Sequence, residues 1–226
     1  ARLTVACNVK KELAERQAKI IEEQIIKNGK SYEYAREYAM LVVECNIEEE
    51  QAKRQVEIIK DEVVNKKNNY WYAREYARLK VKYNIEDALA RKQAEVFERE
   101  LKGNSHLYAS EYARLNVGCN IGEEKAKEQA KIIEEQVIKN GKSYGYAREY
   151  AKLIVDCNVE KGRAERQAKI IEDQVIKNGK SYEYAKEYAW LTVECNVQDD
   201  LARKQAEVFE RVLRGNSYWY AREYAR

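Results

Sequence analysis

The side chains able to do chemistry in this sequence recur at fixed intervals, and the intervals decide what chemistry is open to them. Cysteines stand at Cys7, Cys45, Cys119, Cys157 and Cys195, each directly before an asparagine, with Tyr83 in the copy of the slot that lacks a thiol. Converging thiolates would suit zinc and paired thiols a disulfide. Equivalent positions on stacked helices, however, lie about 9 to 10 Å apart, beyond the roughly 7 Å Cα separation that a disulfide tolerates. His106 is the only histidine, which leaves zinc without its usual second ligand type. A slot that accepts Tyr in place of Cys reads as a core position. Unbridged thiols, in a chain that shows no signal peptide, favour a reducing, cytoplasmic compartment.

A glutamine recurs in every repeat, at Gln17, Gln55, Gln93, Gln129, Gln167 and Gln205, one residue before a core position. Exposed, such amides could read successive units of a linear ligand. Buried, they would hydrogen-bond a recurring tyrosine hydroxyl or a turn carbonyl, and a structural ladder of this kind is the expectation. Neighbouring carboxylates at Glu48-Glu49-Glu50 and Asp199-Asp200 open helices, where negative charge complements the positive helix terminus rather than a reacting bond. No spacing brings Ser or Cys and a carboxylate around His106, and no phosphate loop or dinucleotide fingerprint is present. The residues therefore predict no enzyme activity, no metal and no cofactor.

Composition narrows the partners. Lys+Arg 42 against Asp+Glu 39 gives a net charge of +3 with the signs interleaved, whereas nucleic-acid binders concentrate positive charge in a stripe. The balance argues against nucleic acid. No run approaches the 18 or so apolar residues of a membrane span. A chain that is 36% charged suits an extended, surface-rich object.

The elements that carry these residues are tandem repeats. The stretch Ser31 to Asn46 returns along the chain, its Tyr-Ala pair beginning at Tyr34, Tyr72, Tyr108, Tyr146, Tyr184 and Tyr220, in steps of 38, 36, 38, 38 and 36 residues. Ala1 matches Ala39, adding another 38. The order 38, 38, 36 sums to 112, so 1–112 and 113–226 read as a duplicated three-hairpin block.

Each repeat divides into two helices. In the first, Tyr34, Tyr38, Leu41 and Cys45 fall along one side, with Ala35, Ala39 and Val43 as an adjacent stripe. Ser31, Ser105, Ser143, Ser181 and Ser217, with Asn69 in the remaining copy, are its N-caps. Asn46 and its copies Asn8, Asn84, Asn120, Asn158 and Asn196 end it, in the left-handed turn or as the next cap, followed by a β-branched anchor such as Ile47. The second helix, about Glu48 to Asn65, buries Ala52, Val56, Ile59 and Val63. The connection back holds a glycine for positive φ, as in Asn28-Gly29. It contracts around Gly103 and Gly215 in the copies where Phe97 and Phe209 replace the Ile59-type residue. With no proline and no alternating strand pattern, the fold class is all-α: a right-handed α-solenoid of six helix-turn-helix repeats plus a cut half-helix at each end.

The spacing of Ala52, Val56 and Ile59, together with the large-small pair Tyr38-Ala39, resembles the tetratricopeptide and Sel1-like class of solenoids. The period is longer than a tetratricopeptide's, and the turn proline and glycine-rich Sel1 signature are absent. The resemblance implies hairpin stacking and protein binding, and it transfers no site.

One face of the first helix varies between copies and is the candidate interface: Met40 in the second copy, Trp71, Arg74 and Arg78 in the third, Leu107 in the fourth, Trp190 in the sixth and Trp219 in the last. Exposed Trp with Arg is the usual anchor pair of protein interfaces. Tryptophans folded onto their own repeat are the plain alternative. The ends are the second candidate, since Leu3 and Val5 at one and Tyr220 and Tyr224 at the other are stacking residues without the rest of their hairpin. The expectation is a structural protein that self-assembles head to tail into a filament or tube. A closed six-hairpin ring, or an adaptor for another protein, is the alternative. An RNA reader comes third, because Glu, Trp, Met and Arg at the variable positions make a poor base code.

Overall fold

The computed structural model describes residues 11–225, so Leu3, Val5, Cys7 and Asn8 lie outside the described residues. All regular structure within it is helical. In chain order the helices are α1 (Lys11–Ile26), α2 (Tyr32–Val43), α3 (Glu49–Lys60), α4 (Tyr70–Val81), α5 (Asp87–Leu101), α6 (His106–Ala113), α7 (Glu123–Glu134), α8 (Tyr144–Val155), α9 (Lys161–Glu172), α10 (Tyr182–Val193), α11 (Asp199–Leu213) and α12 (Tyr218–Ala225). They divide into a first unit, 11–103, holding α1 to α5, and a second, 104–225, holding α6 to α12. Within each unit every helix packs against the next, so each unit is a stretch of all-α solenoid. The duplication boundary at 112/113 falls inside α6.

Local chemistry accounts for the boundaries. Ser31, Ser105, Ser143 and Ser181 accept the backbone N–H of Tyr34, Tyr108, Tyr146 and Tyr184, and Asn69 accepts that of Trp71, each supplying a partner to a helix start. At the other end, Asn46, Asn84, Asn120, Asn158 and Asn196 all take φ near +50°. Asn tolerates that region because its short polar side chain bonds locally. The next N–H then reaches back past the turn, as Ile47 N does to Leu41 O at 3.0 Å.

Two details depart from the sequence expectation. Among the described residues the cysteines are not in the core: Cys45, Cys119, Cys157 and Cys195 are exposed, and so is Tyr83. The helix is already unwinding toward the left-handed Asn one residue later, which turns this slot out to solvent. Positive φ also belongs only to the long connections, at Gly29, Gly141 and Gly179 and at Lys67 in the copy without glycine, while Gly103 and Gly215 in the short ones do without it. Three of the long copies widen into a π turn before that residue, at Asp61–Asn65, Glu135–Lys139 and Asp173–Lys177. α5 and α11, with the short connections, have none. A π turn absorbs an extra residue within a helix, so the long step is partly spent there. A fourth π turn, Arg114–Gly118, closes α6.

The core repeats as the pattern demands. Tyr34 and Tyr38 stack with ring centroids 6.4 Å apart, and Tyr72–Tyr76, Tyr146–Tyr150 and Tyr184–Tyr188 do so at 6.0 to 6.1 Å. Each pair packs with a leucine of its own helix and small residues of the following one, as Tyr72, Tyr76 and Leu79 do with Ala90 and Ala94 and as Tyr34, Tyr38 and Leu41 do with Ala52 and Val56. On the opposite side Ala73 and Ala77 sit against Ile59, where only a small side chain lets the helices close up. Phe97 and Phe209 are fully buried in the short copies.

Candidate functional site

Within each unit the first helices of consecutive hairpins are tied by a polar ladder that sequence reading did not single out. The glutamate of the repeated Tyr-Ala-Arg-Glu-Tyr-Ala stretch is buried at Glu75, Glu111, Glu149 and Glu187. It takes a hydroxyl from the tyrosine that opens the first helix of the next hairpin: Tyr70 to Glu37 at 2.7 Å, Tyr144 to Glu111, Tyr182 to Glu149, and Tyr218 to Glu187 at 3.4 Å. Arginines complete the pairing, with Arg74 3.4 Å from Glu37, Arg222 3.3 Å from Glu187, and Arg78 and Arg114 on Glu75 and Glu111 of their own helices. Burial, and then the hydrogen bond to the glutamate, push the Tyr70 and Tyr144 hydroxyls up to about 12. The signal was in the sequence, because a glutamate that never varies between two core tyrosines has no reason to be constant on a solvated face.

The glutamine ladder is buried, as expected of a structural role, at Gln17, Gln55, Gln93, Gln129 and Gln167, and Gln205 is half-buried. Its partner differs from the expectation. Instead of a tyrosine or a turn carbonyl, Gln17 donates to Glu44 at 2.6 Å, Gln129 to Asp156 at 2.9 Å and Gln167 to Glu194 at 2.7 Å, all carboxylates at the end of the next first helix.

The variable face is only partly open. Trp71 and Trp219 are exposed, 41% and 72%, but Met40, Leu107 and Trp190 are half-buried, as are Arg74 and Arg78. Trp190 packs against the Tyr184 and Tyr188 cluster, and the Arg222 guanidinium lies 3.4 Å above its ring. It is thus folded onto its own unit. Arg74 likewise spans from the Trp71 ring to the Met40 sulfur. An open aromatic-basic surface of the first unit is α4 and its end, where Trp71 is joined by Arg78 and Lys82 over the exposed Tyr83 ring. Tyr220 and Tyr224, stacked at 6.1 Å, are exposed on α12.

In the second unit this face opens into a groove of about 520 Å³ lined by Arg114, Gln129, Gly145, Arg148, Lys152 and Asp156, among others. A Cβ added at Gly145 would meet nothing, so the notch there is real space. Among the described residues no three His, Cys, Asp or Glu side chains converge as metal ligands, and no helix is long and apolar enough to cross a membrane. No protein-family model matches the sequence, and no curated protein resembles it significantly.

Proposed function

We propose that the chain is a non-enzymatic helical-repeat protein of the tetratricopeptide-like kind that assembles with further copies of itself through the stacking contact its hairpins repeat. The observation behind this reading is that one contact recurs. Tyr184 and Tyr188 are 2% and 7% exposed under the alanines of α11, and Tyr220 and Tyr224 hold the same stacked geometry. Two adjacent aromatic rings presented in the geometry of a core are complementary to a second helix of this protein's own type, with its alanines at the Ala202 and Ala206 positions. Repetition of one such contact builds an open filament or tube if it does not close and a ring if it does.

Light scattering coupled to size exclusion, with negative-stain images, tests this. Concentration-dependent growth above 26.6 kDa is expected, and the double change Tyr220→Ser, Tyr224→Ser is expected to abolish it while leaving the helical circular dichroism signal intact. A 26.6 kDa species alone at micromolar concentration, seen as isolated particles or as single-chain rings, overturns assembly between copies.

A further inference from the structure

In three copies of the repeat the buried glutamine is satisfied by a carboxylate carried by the chain itself, Glu44, Asp156 or Glu194. The Gln55 copy is different. The residue at the carboxylate's place is Lys82, and the Gln55 Nε2 group, in a side chain only 1% exposed, has no hydrogen-bond partner. Leaving a buried amide donor unpaired is unfavourable, and Gln17, Gln129 and Gln167 avoid it. The surface around it is changed in the matching sense. α4 and its C-cap carry Arg74, Arg78, Lys80 and Lys82 against Glu75 alone, and Lys82 lies over the Tyr83 ring, 5.6 Å from its centroid. Trp71 stands exposed on the same helix, where α8 has Gly145. In the second unit the corresponding glutamine, Gln129, lines an open groove together with its carboxylate partner, so the slot is one that solvent reaches.

We infer that the α4 face is a docking site for an acidic peptide segment of a partner protein, one of whose carboxylates takes the position that Glu44, Asp156 and Glu194 hold elsewhere. That carboxylate accepts from Gln55 Nε2 and pairs with Lys82, and Trp71 and Tyr83 cover the apolar part of the segment. An anion suits both groups, because the amide offers only a donor there and the ammonium only charge. Aromatic residues beside an arginine are the usual anchors of such a contact. The site belongs to the first unit and does not depend on assembly through α12.

The test is fluorescence anisotropy of a labelled short polyglutamate peptide, with an oligouridylate of matched charge in parallel. Saturable peptide binding is expected. Lys82→Glu restores the built-in pair of the other copies, so it should weaken binding about tenfold or more while raising the melting temperature. Gln55→Met should weaken binding without loss of stability. Lys60→Glu makes the same charge change on exposed α3 surface and should matter much less. Equal losses for Lys60→Glu and Lys82→Glu would mean diffuse charge attraction and overturn the proposal. Absence of peptide binding, or binding of the oligouridylate alone, overturns it as well.

Discussion

The Tyr70 hydroxyl donates a 2.7 Å hydrogen bond to Glu37 Oε2, joining the first turn of α4 to the middle of α2 across a full repeat. Tyr144 and Glu111 do the same in the second unit. These links make the stack sensitive to alkali. Both hydroxyls are pushed up to about 12, by burial first and by their glutamates second, against about 10 for an unfolded tyrosine. A folded value above the unfolded one gives stability that is complete below about pH 10 and is lost as pH rises toward 12. An ultraviolet tyrosinate titration should therefore show a late-ionising group that coincides with unfolding. Tyr70→Phe with Tyr144→Phe should trim that late part of the curve. Ionisation of all the tyrosines near pH 10 in the folded protein would contradict the ladder.

The glutamines should respond to substitution in opposite directions. Gln17→Met removes a donor that Glu44 uses at 2.6 Å and should destabilise by about 1 to 2 kcal/mol. Gln55→Met removes a donor that has no acceptor, keeps the volume, and should be neutral or stabilising by about 1 kcal/mol. Urea unfolding of the two variants decides this, and equal destabilisation would mean that the amide packs rather than bonds.

What could be read from sequence was whatever period and residue type specify together. Tyr34, Tyr38, Leu41 and Ala52 have one reading at helical spacing, and Ser31 before them has one role, so helices, caps and core follow directly. Cys45 misleads because its register continues the buried stripe while its position, one residue before the left-handed Asn46, has already left the helix. Trp190 misleads in the other direction: it lies on the face that varies between copies, but the Arg222 that covers it comes from the next hairpin and no local pattern announces the contact. Glu75 and Gln17 show the general difficulty. A polar residue repeated in register announces that it is buried, yet its partner lies 27 residues on for Gln17 and can only be found by folding the chain.

Acid should weaken the first unit through Glu62. This carboxylate is 1% exposed in the π turn after α3 and meets Lys66 Nζ at 2.8 Å, Asn68 Nδ2 at 2.6 Å and Arg91 Nη1 at 3.3 Å. Burial lifts its pKa, but the hydrogen bonds from Lys66 and Asn68 and the charge of Arg91 outweigh burial and hold it below the ordinary value. A depressed folded value gives stability that is present above the unfolded pKa of about 4.3 and is lost as pH falls through the folded one. Thermal melts from neutral pH to pH 3 should show this loss. Glu62→Gln should start about 2 kcal/mol less stable at neutral pH and decline less in acid. Parallel acid profiles for the two proteins would place the sensitivity elsewhere.

The turn after α3 also contains a residue in the wrong conformation for its type. Lys67 has φ of +57°, the region that Gly29, Gly141 and Gly179 occupy at the same point of their repeats. For a side chain with a Cβ that region costs about 1 to 2 kcal/mol, whereas glycine enters it without strain. The turn is held in place by its neighbours, Asn68 N bonding to Glu62 O at 2.9 Å, so the backbone does not relax to suit Lys67. Lys67→Gly removes the strain and adds unfolded-chain entropy worth about 0.4 to 1 kcal/mol the other way, leaving a gain of about 0.5 to 1 kcal/mol. On a chain of this size that is a rise of roughly 1 to 4 °C in the melting temperature. The reverse exchange, Gly179→Lys, should lower it by a similar amount, and a Lys67→Gly variant that melts no higher than the parent would show that the connection is not strained there.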